Sequence, residues 1–228
     1  MKKPWFWISV LILCFSLHIH SSFGAFTAIS ANQSISGDQT LISPGGVFEL
    51  GFFKPGNPSN YYIGIWYKKV SQSQRTYVWV ANRNEPVPDK YSAKLAISDG
   101  HLVLFDGSQK IVWSTNSTSS SLSSVEAVLL DSGNLVLRDR PNATEFLWQS
   151  FDNPTDTWLP GGKIRLDNKT KQPQYLTSWK NSEDPAEGLF SLELDPKEAL
   201  PISFFGISLN SIGAVVLGMD KFSVWCLK

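Results

Sequence analysis

The sequence contains few of the residues on which metal and redox chemistry depend. Of its 228 residues, only three are histidines and two are cysteines. Because His18, His20 and Cys14 fall in the first twenty residues, only His101 and Cys226 remain in the rest of the chain. One imidazole still permits a Ser-His-Asp relay, but a multi-histidine metal site is excluded. We therefore expect no catalytic residues, no metal and no cofactor.

An excess of charge of either sign is also missing. The 20 basic residues are balanced by 20 acidic ones, which gives a formal net charge of +0. A nucleic-acid-binding protein needs a basic surface to neutralise phosphates, so this balance argues against a nucleic-acid partner. The sequence also lacks a glycine-rich phosphate loop, a His-Arg-Asp triplet and an Asp-Phe-Gly triplet, so it contains no protein kinase motif.

The N-terminus has the pattern of a secretory signal peptide. Lys2 and Lys3 precede a mostly apolar stretch from Trp5 to Leu17, which is shorter than the ~20 residues that span a bilayer. The small residues Ser22 and Gly24 then suit a cleavage site. The pattern predicts a signal peptide over residues 1–24, and an uncleaved membrane anchor is the alternative. With a cleaved signal peptide, the protein would contact the membrane only during export.

Secretion is consistent with the remaining local motifs. Acceptor sequons for N-glycosylation begin at Asn32, Asn116, Asn142 and Asn168. We therefore expect an extracellular glycoprotein. Once the signal peptide is removed, no internal disulfide can form, so the domain must rely on its core. The unpaired Cys226 indicates a partner chain, a free thiol or a truncated gene product.

A pattern of hairpins occurs three times between residues 41 and 151. Each copy has an apolar residue, a tight glycine turn and a short alternating strand, and the copies cover residues 42–50, 97–105 and 130–138. The glycines supply the positive φ that such turns require. A tryptophan strand follows each copy, and the tryptophans are Trp79, Trp113 and Trp148. The period-2 alternation predicts an all-β fold in which three sheets pack around a shared axis filled by the three indoles.

These residues resemble a known family. Gly-Asn-Leu-Val-Leu at 133–137, near tryptophan strands such as residues 79–82, is similar to the bulb-type mannose-binding lectin domain, whose fold is a three-sheet β-prism. Other segments resemble the plant S-domain receptor-like serine/threonine kinases and their secreted S-locus glycoprotein relatives; they are residues 33–40, 48–53, 62–67, 79–83, 148–152, 154–157 and 159–161. The resemblance implies a bulb-type lectin domain at 25–150, a linker and incomplete S-locus glycoprotein β module at 151–200, and a divergent tail at 201–228.

The sugar pocket of this family is a set of Gln, Asp, Asn, Val and Tyr at every second position of one strand, where the side chains share a face. In the second repeat the matching positions are Ile97, Asp99, His101, Val103 and Phe105. In the third they are Leu130, Ser132, Asn134, Val136 and Arg138, and the first repeat keeps none of the set. The candidate carbohydrate-binding residues are therefore Asp99, His101, Val103, Phe105, Asn134 and Val136.

Several polar groups of that pocket are replaced here, and each net hydrogen bond contributes about 0.5–1.5 kcal/mol. Structural roles for these hairpin residues are therefore favoured over mannose binding. The resemblance implies extracellular recognition of a glycan or of a protein or peptide ligand. A carbohydrate-binding module predicts sugar binding that is lost in Asp99→Ala. A protein-binding ectodomain, or a soluble decoy that binds full-length receptor-like kinases, predicts indifference to free sugar. A non-functional truncation predicts poor secretion.

Overall fold

The computed structural model describes residues 25–56, 60–116, 124–164 and 174–193, together with the backbone of two strands at 203–206 and 225–226. The predicted signal peptide, the Asn168 sequon and most of the predicted tail lie outside the described residues. Within these ranges no helix has the length and apolar character needed to cross a membrane.

Short strands account for most of the described structure. In chain order they are β1 (Ala25–Phe26), β2 (Ile29–Ser30), β3 (Ser34–Ile35), β4 (Thr40–Ile42), β5 (Phe48–Phe53), β6 (Tyr62–Tyr67), β7 (Tyr77–Val80), β8 (Lys94–Ser98), β9 (His101–Phe105), β10 (Ile111–Ser114), β11 (Val125–Leu129), β12 (Leu135–Asp139), β13 (Asn142–Gln149), β14 (Thr157–Trp158), β15 (Tyr175–Asn181), β16 (Asp184–Glu193), β17 (Ser203–Gly206) and β18 (Trp225–Cys226). Two 3₁₀ turns, η1 (Gln72–Gln74) and η2 (Ser150–Asp152), complete the list.

The first thirteen strands form three sheets. Sheet I has the order β1-β4-β5-β6-β7, sheet II the order β10-β9-β8-β3, and sheet III the order β13-β12-β11-β2. Each tryptophan strand of the repeat (β7, β10 or β13) lies at one edge of its sheet. The N-terminal strands β2, β3 and β4 join sheets III, II and I in turn, so this segment ties the three sheets together. The predicted all-β prism is confirmed.

The three sheets bury one face each in a common core. The alternation of the strands supplies its fully buried members, which include Leu50, Ile63 and Ile65 from sheet I, Leu95, Leu102 and Leu104 from sheet II, and Leu129, Leu135 and Leu137 from sheet III. The rings of Trp79, Trp113 and Trp148 contact one another in pairs, with centroids 5.7–5.9 Å apart and planes inclined by 66–77°. Such edge-to-face pairs add to the free energy of burial.

A polar side chain follows each of these tryptophans and completes the hydrogen bonding of a neighbouring strand. The three acceptors lie two or three residues beyond the tryptophan. They are Asn82 Oδ1 for Ile63 N (2.8 Å), Thr115 Oγ1 for Leu102 N (3.2 Å) and Ser150 Oγ for Leu135 N (2.9 Å). Because buried backbone N–H groups need partners, these residues allow the strand ends to be enclosed.

The glycine turns have the predicted geometry. Gly46, Gly100 and Gly133 have φ values of 67°, 79° and 84°. At Gly133 space is also limiting, since a Cβ atom there would lie 2.7 Å from Leu159 Cδ1. Glycine is therefore required at this turn by both backbone conformation and packing.

The segment after Ser150 packs against the prism. Leu159 belongs to the common core, and the Trp79 indole donates a 2.8 Å hydrogen bond to the carbonyl of Asn153. Thr177 N then donates to Thr155 O at 2.8 Å, which connects this segment to the three-stranded sheet β15-β16-β17. Contacts with the prism therefore continue well beyond the third repeat.

Candidate functional site

The second repeat presents its candidate residues on the outer face of sheet II, which faces away from the common core. His101, Val103 and Phe105 alternate along β9 with the core residues Leu102 and Leu104. Across the hairpin, the outer-face neighbours are Ser98, Ala96 and Lys94. Lys94 Nζ lies 5.3 Å from the centroid of the Phe105 ring, within cation–π range. Val103 is buried, so it forms the floor of this outer face.

The expectation that the five pocket positions follow one strand is wrong at this hairpin. Asp99 and Gly100 form a two-residue turn with positive φ at both residues, so Ser98 pairs with His101. Ile97 is consequently opposite the core residue Leu102 and packs against the core. Asp99 lies exposed at the tip of the turn, where it accepts a 3.3 Å hydrogen bond from Ser98 Oγ. The alternation rule fails because it applies within a strand and not across a turn.

In the third repeat, the side chain of Asn134 is buried and hydrogen-bonded to other groups of the protein. Its side chain is only 4% exposed. Its Nδ2 donates to Gln149 Oε1 at 2.8 Å, and its Oδ1 accepts from Ser150 Oγ and from Phe151 N, both at 3.2 Å. Val136 is fully buried. These two candidates therefore lie inside the protein, where Asn134 joins the β11–β12 hairpin to the η2 turn.

Asn134→Ala is expected to lower stability. The Ser150 hydroxyl and the Phe151 N–H would lose their acceptor, and an unsatisfied buried polar group costs about 1–3 kcal/mol. Urea unfolding of unglycosylated protein measures the loss. The control is Asn142→Ala, because Asn142 is exposed at the start of β13. Equal unfolding free energies for the two variants would contradict a structural role for Asn134.

The outer face of sheet I is filled by aromatic side chains. Phe53, Tyr62, Trp66 and Tyr77 form a cluster with Val80, and Trp179 from β15 packs on it. The rings of Phe53 and Tyr77 stack with centroids 3.8 Å apart, and the Trp179 ring lies 6.3 Å and 6.2 Å from them. This aromatic cluster covers the face of sheet I that corresponds to the outer face of sheet II, where the second repeat carries its candidate residues.

Arg83 connects the prism to the hairpin formed by β15 and β16. The residue is 8% exposed. Its Nε donates to Pro185 O at 2.8 Å, and one terminal nitrogen donates to Thr177 O and Ser178 O at 3.0 and 2.9 Å. Burial lowers the pKa of Arg83, and the nearby negative charges, Asp156 foremost, act against that shift. Sequence reasoning missed this role because the carbonyl acceptors lie about a hundred residues away in the chain.

A cleft opens at the end of the prism where the three tryptophan strands end; we call it the axial cleft. Its volume is ≈ 580 Å³, within the ~300–1,000 Å³ typical of ligand pockets. Its lining residues include the three core tryptophans and several amide, hydroxyl and charged side chains, namely Trp79, Trp113, Trp148, Arg83, Asn84, Ser114, Thr115, Asn116, Asn153, Thr155 and Glu187. The sequence did not predict the cleft, since only the fold brings three separate strand ends together.

The asparagines of the predicted sequons lie at the surface wherever the structure describes them. Asn32, Asn116 and Asn142 are exposed. Across the described ranges, no three His, Cys, Asp or Glu residues are grouped so that they could hold a metal ion.

Known proteins resemble this chain along most of its length. Residues 76–180 match the D-mannose binding lectin family. The chain is 54% identical over 203 residues to a G-type lectin S-receptor-like serine/threonine-protein kinase of Arabidopsis thaliana, covering 87% of this chain and 24% of that protein. It is 44% identical over 205 residues to an S-locus-specific glycoprotein of Brassica oleracea, covering 86% of this chain and 46% of that protein.

A solved structure of a monomeric mannose-binding lectin from Gastrodia elata matches with 17% identity and a TM-score of 0.40, over 54% of this chain and 96% of that chain. The chain spans between about a fifth and a half of the length of the relatives that it matches in sequence. The predicted resemblance to S-domain receptor-like kinases and S-locus glycoproteins is confirmed.

Proposed function

We propose that this chain, which carries the bulb-type lectin domain of plant S-receptor-like kinases and S-locus glycoproteins, is an extracellular recognition module that binds a protein or peptide partner and not a mannose-type sugar. The observation that supports this most directly is the internal use of Asn134. The Asn134 side chain is only 4% exposed, and it already donates one N–H to Gln149 and accepts from Ser150 and Phe151, so at most one buried N–H is left for a sugar.

The other two repeats support the same proposal. The aromatic cluster and Trp179 cover the outer face of sheet I. On the outer face of sheet II, the positions that would supply a carboxamide and a phenol hold His101 and Phe105 instead. Sugar pockets depend on side chains that hydrogen-bond to the hydroxyl groups of the sugar. A face with few hydrogen-bonding side chains therefore has little selectivity for a sugar.

The outer face of sheet II has features of a protein-binding surface. Ile111 on the edge strand β10 is 57% exposed and lies directly opposite Phe105. Lys94 contacts the Phe105 ring, and exposed Lys110 and Asp99 lie in the flanking turns. An apolar centre with a charged rim is the usual arrangement of a protein interface. We therefore assign partner binding to this surface, which we call the Ile111 surface.

The test measures two kinds of binding with one purified, folded protein. On a glycan array we expect no saturable binding to mannose-type glycans. In a selection from displayed peptides and plant extracellular proteins, we expect ligands whose binding is lost in Ile111→Glu. The matched control is Val47→Glu, because Val47 is also an exposed aliphatic residue (38%) but lies in sheet I's first hairpin. Ligands that lose binding equally in both variants would contradict the assignment to the Ile111 surface.

A second candidate function is weak sugar binding on the same face, favoured by the exposed Asp99 beside His101 and the buried floor of Val103. Its variant is Asp99→Asn. Asp99 has φ +50°, where alanine adds about 1–2 kcal/mol of strain and asparagine is tolerated. Saturable mannose binding that Asp99→Asn removes would overturn the proposal for a protein partner.

A further inference from the structure

One of the predicted sequons lies at the axial cleft. Asn116 lines the cleft, two residues after the end of β10, and its side chain is exposed. Its backbone has φ +44°, and its N–H donates to Ser114 Oγ at 3.3 Å. The left-handed conformation turns the chain sharply at this residue. The residue to which a glycan would be attached therefore belongs to the wall of the cleft.

The chemistry of the cleft suits a saccharide. Trp113 and Trp148 are only half-buried, so part of each indole is available, and their rings lie 5.8 Å apart. An indole offers an apolar body against which the C–H groups of a sugar ring can pack. The lining also includes the exposed carboxylate of Glu187 and the exposed amide of Asn84, whose oxygen accepts from Glu187 N at 3.2 Å and whose nitrogen can donate to hydroxyl and acetamido groups.

We propose that an N-glycan on Asn116 folds back into the axial cleft, with its first N-acetylglucosamine packed against Trp113 and Trp148. Attachment joins the anomeric carbon of that sugar to Asn116 Nδ2; the amide loses a proton, and the lipid pyrophosphate of the donor leaves with the bonding electrons. The sugar then closes the open end of the prism. Because the contact is intramolecular, its effective concentration is high and a weak interaction suffices.

The other described sequons differ from Asn116 in their surroundings. Asn142 begins β13 and Asn32 follows β2, and both are exposed without lining the axial cleft. A glycan at these positions would extend into solvent. Asn142 is therefore the matched control for any effect that glycans have in general, such as improved solubility.

The experiment uses the secreted chain from cells that make high-mannose glycans. Mass spectrometry first establishes occupancy of Asn116. We expect Asn116→Gln and Thr118→Ala each to lower Tm by about 2–4 °C and to make tryptophan fluorescence more accessible to acrylamide. Asn142→Gln should change neither. Combining Glu187→Ala with Asn116→Gln should lower Tm by less than the sum of the single changes, because both act on one contact.

Enzymatic trimming of the wild-type protein is a second test of the proposal. Endoglycosidase H leaves the first N-acetylglucosamine on each asparagine, whereas peptide-N-glycosidase F hydrolyses the side-chain amide, removes the whole glycan and leaves aspartate; the same treatment of Asn142→Gln and Asn116→Gln separates the effect at Asn116 from that at the other sites. We expect Tm and acrylamide quenching to stay unchanged after the first treatment and to shift after the second. An unmodified Asn116, equal shifts in Asn116→Gln and Asn142→Gln, or identical behaviour after the two enzymes would each overturn the proposal.

Discussion

Trp79→Ala is expected to lower the free energy of unfolding by about 3–5 kcal/mol, as deletion of a large buried aromatic side chain does. Trp79 is the most enclosed of the three core tryptophans, at 5% exposed. The substitution removes its edge-to-face contacts with Trp113 and Trp148 and its hydrogen bond to Asn153 O. A single domain has about 5–15 kcal/mol of stability, so this loss is between about a fifth and all of the total.

Urea unfolding followed by circular dichroism measures this effect, and Trp158→Ala is the control. Trp158 is a half-buried tryptophan of β14 whose indole donates to Gly162 O at 3.0 Å, and it lies outside the group of three. We expect the control to lose clearly less stability than Trp79→Ala. A loss at Trp79 no larger than that at Trp158 would show that the three indoles are not the centre of the prism's stability.

Arg83→Met is expected to detach the β15–β16 hairpin from the prism. Methionine retains much of the apolar stem, but it leaves the carbonyls of Thr177, Ser178 and Pro185 without their donor. Hydrogen bonds from a charged group contribute about 1.5–3 kcal/mol each, so we expect a total loss of at least about 3 kcal/mol. Arg83→Lys should rescue little, because one ammonium lacks the planar fork that reaches three carbonyls.

Hydrogen–deuterium exchange locates the damage. In Arg83→Met we expect faster amide exchange over residues 175–193, while β9 and β12 in the core stay protected. Arg140→Met is the control, since Arg140 is exposed and pairs with Glu126 at 3.3 Å, a surface contact worth at most about 1 kcal/mol. Unchanged exchange in the hairpin would refute the role of Arg83 as one of the connections between the two parts.

The same architecture allows the outer faces of the sheets to differ while the common core is retained. The common core depends on residues such as Leu102, Leu104 and Leu137, which alternate with the outer-face positions along the same strands. Because successive side chains point to opposite faces, an outer-face residue can change without disturbing the core. The outer faces of sheets I and II accordingly carry different side chains, namely the aromatic cluster on sheet I and His101, Val103 and Phe105 on sheet II.

Local pattern alone determined most of the fold. The threefold hairpin pattern, the glycine turns and the spacing of Trp79, Trp113 and Trp148 predicted three sheets around a shared core. These features depend on period-2 alternation and on turn conformations, which neighbouring residues in the chain largely decide.

Only the tertiary structure decided which residues are free to bind a ligand. Asn134 has a matching position in the family pocket, yet its amide is occupied by groups that come fifteen to seventeen residues later. Arg83 is placed by carbonyls on a distant hairpin, and Asn116 reaches the axial cleft because three strand ends meet there. Hydrogen bonds and clefts between distant segments depend on the packing of sheets, which sequence spacing does not encode. The sequence therefore determined the scaffold, and the packing determined which side chains each surface leaves exposed.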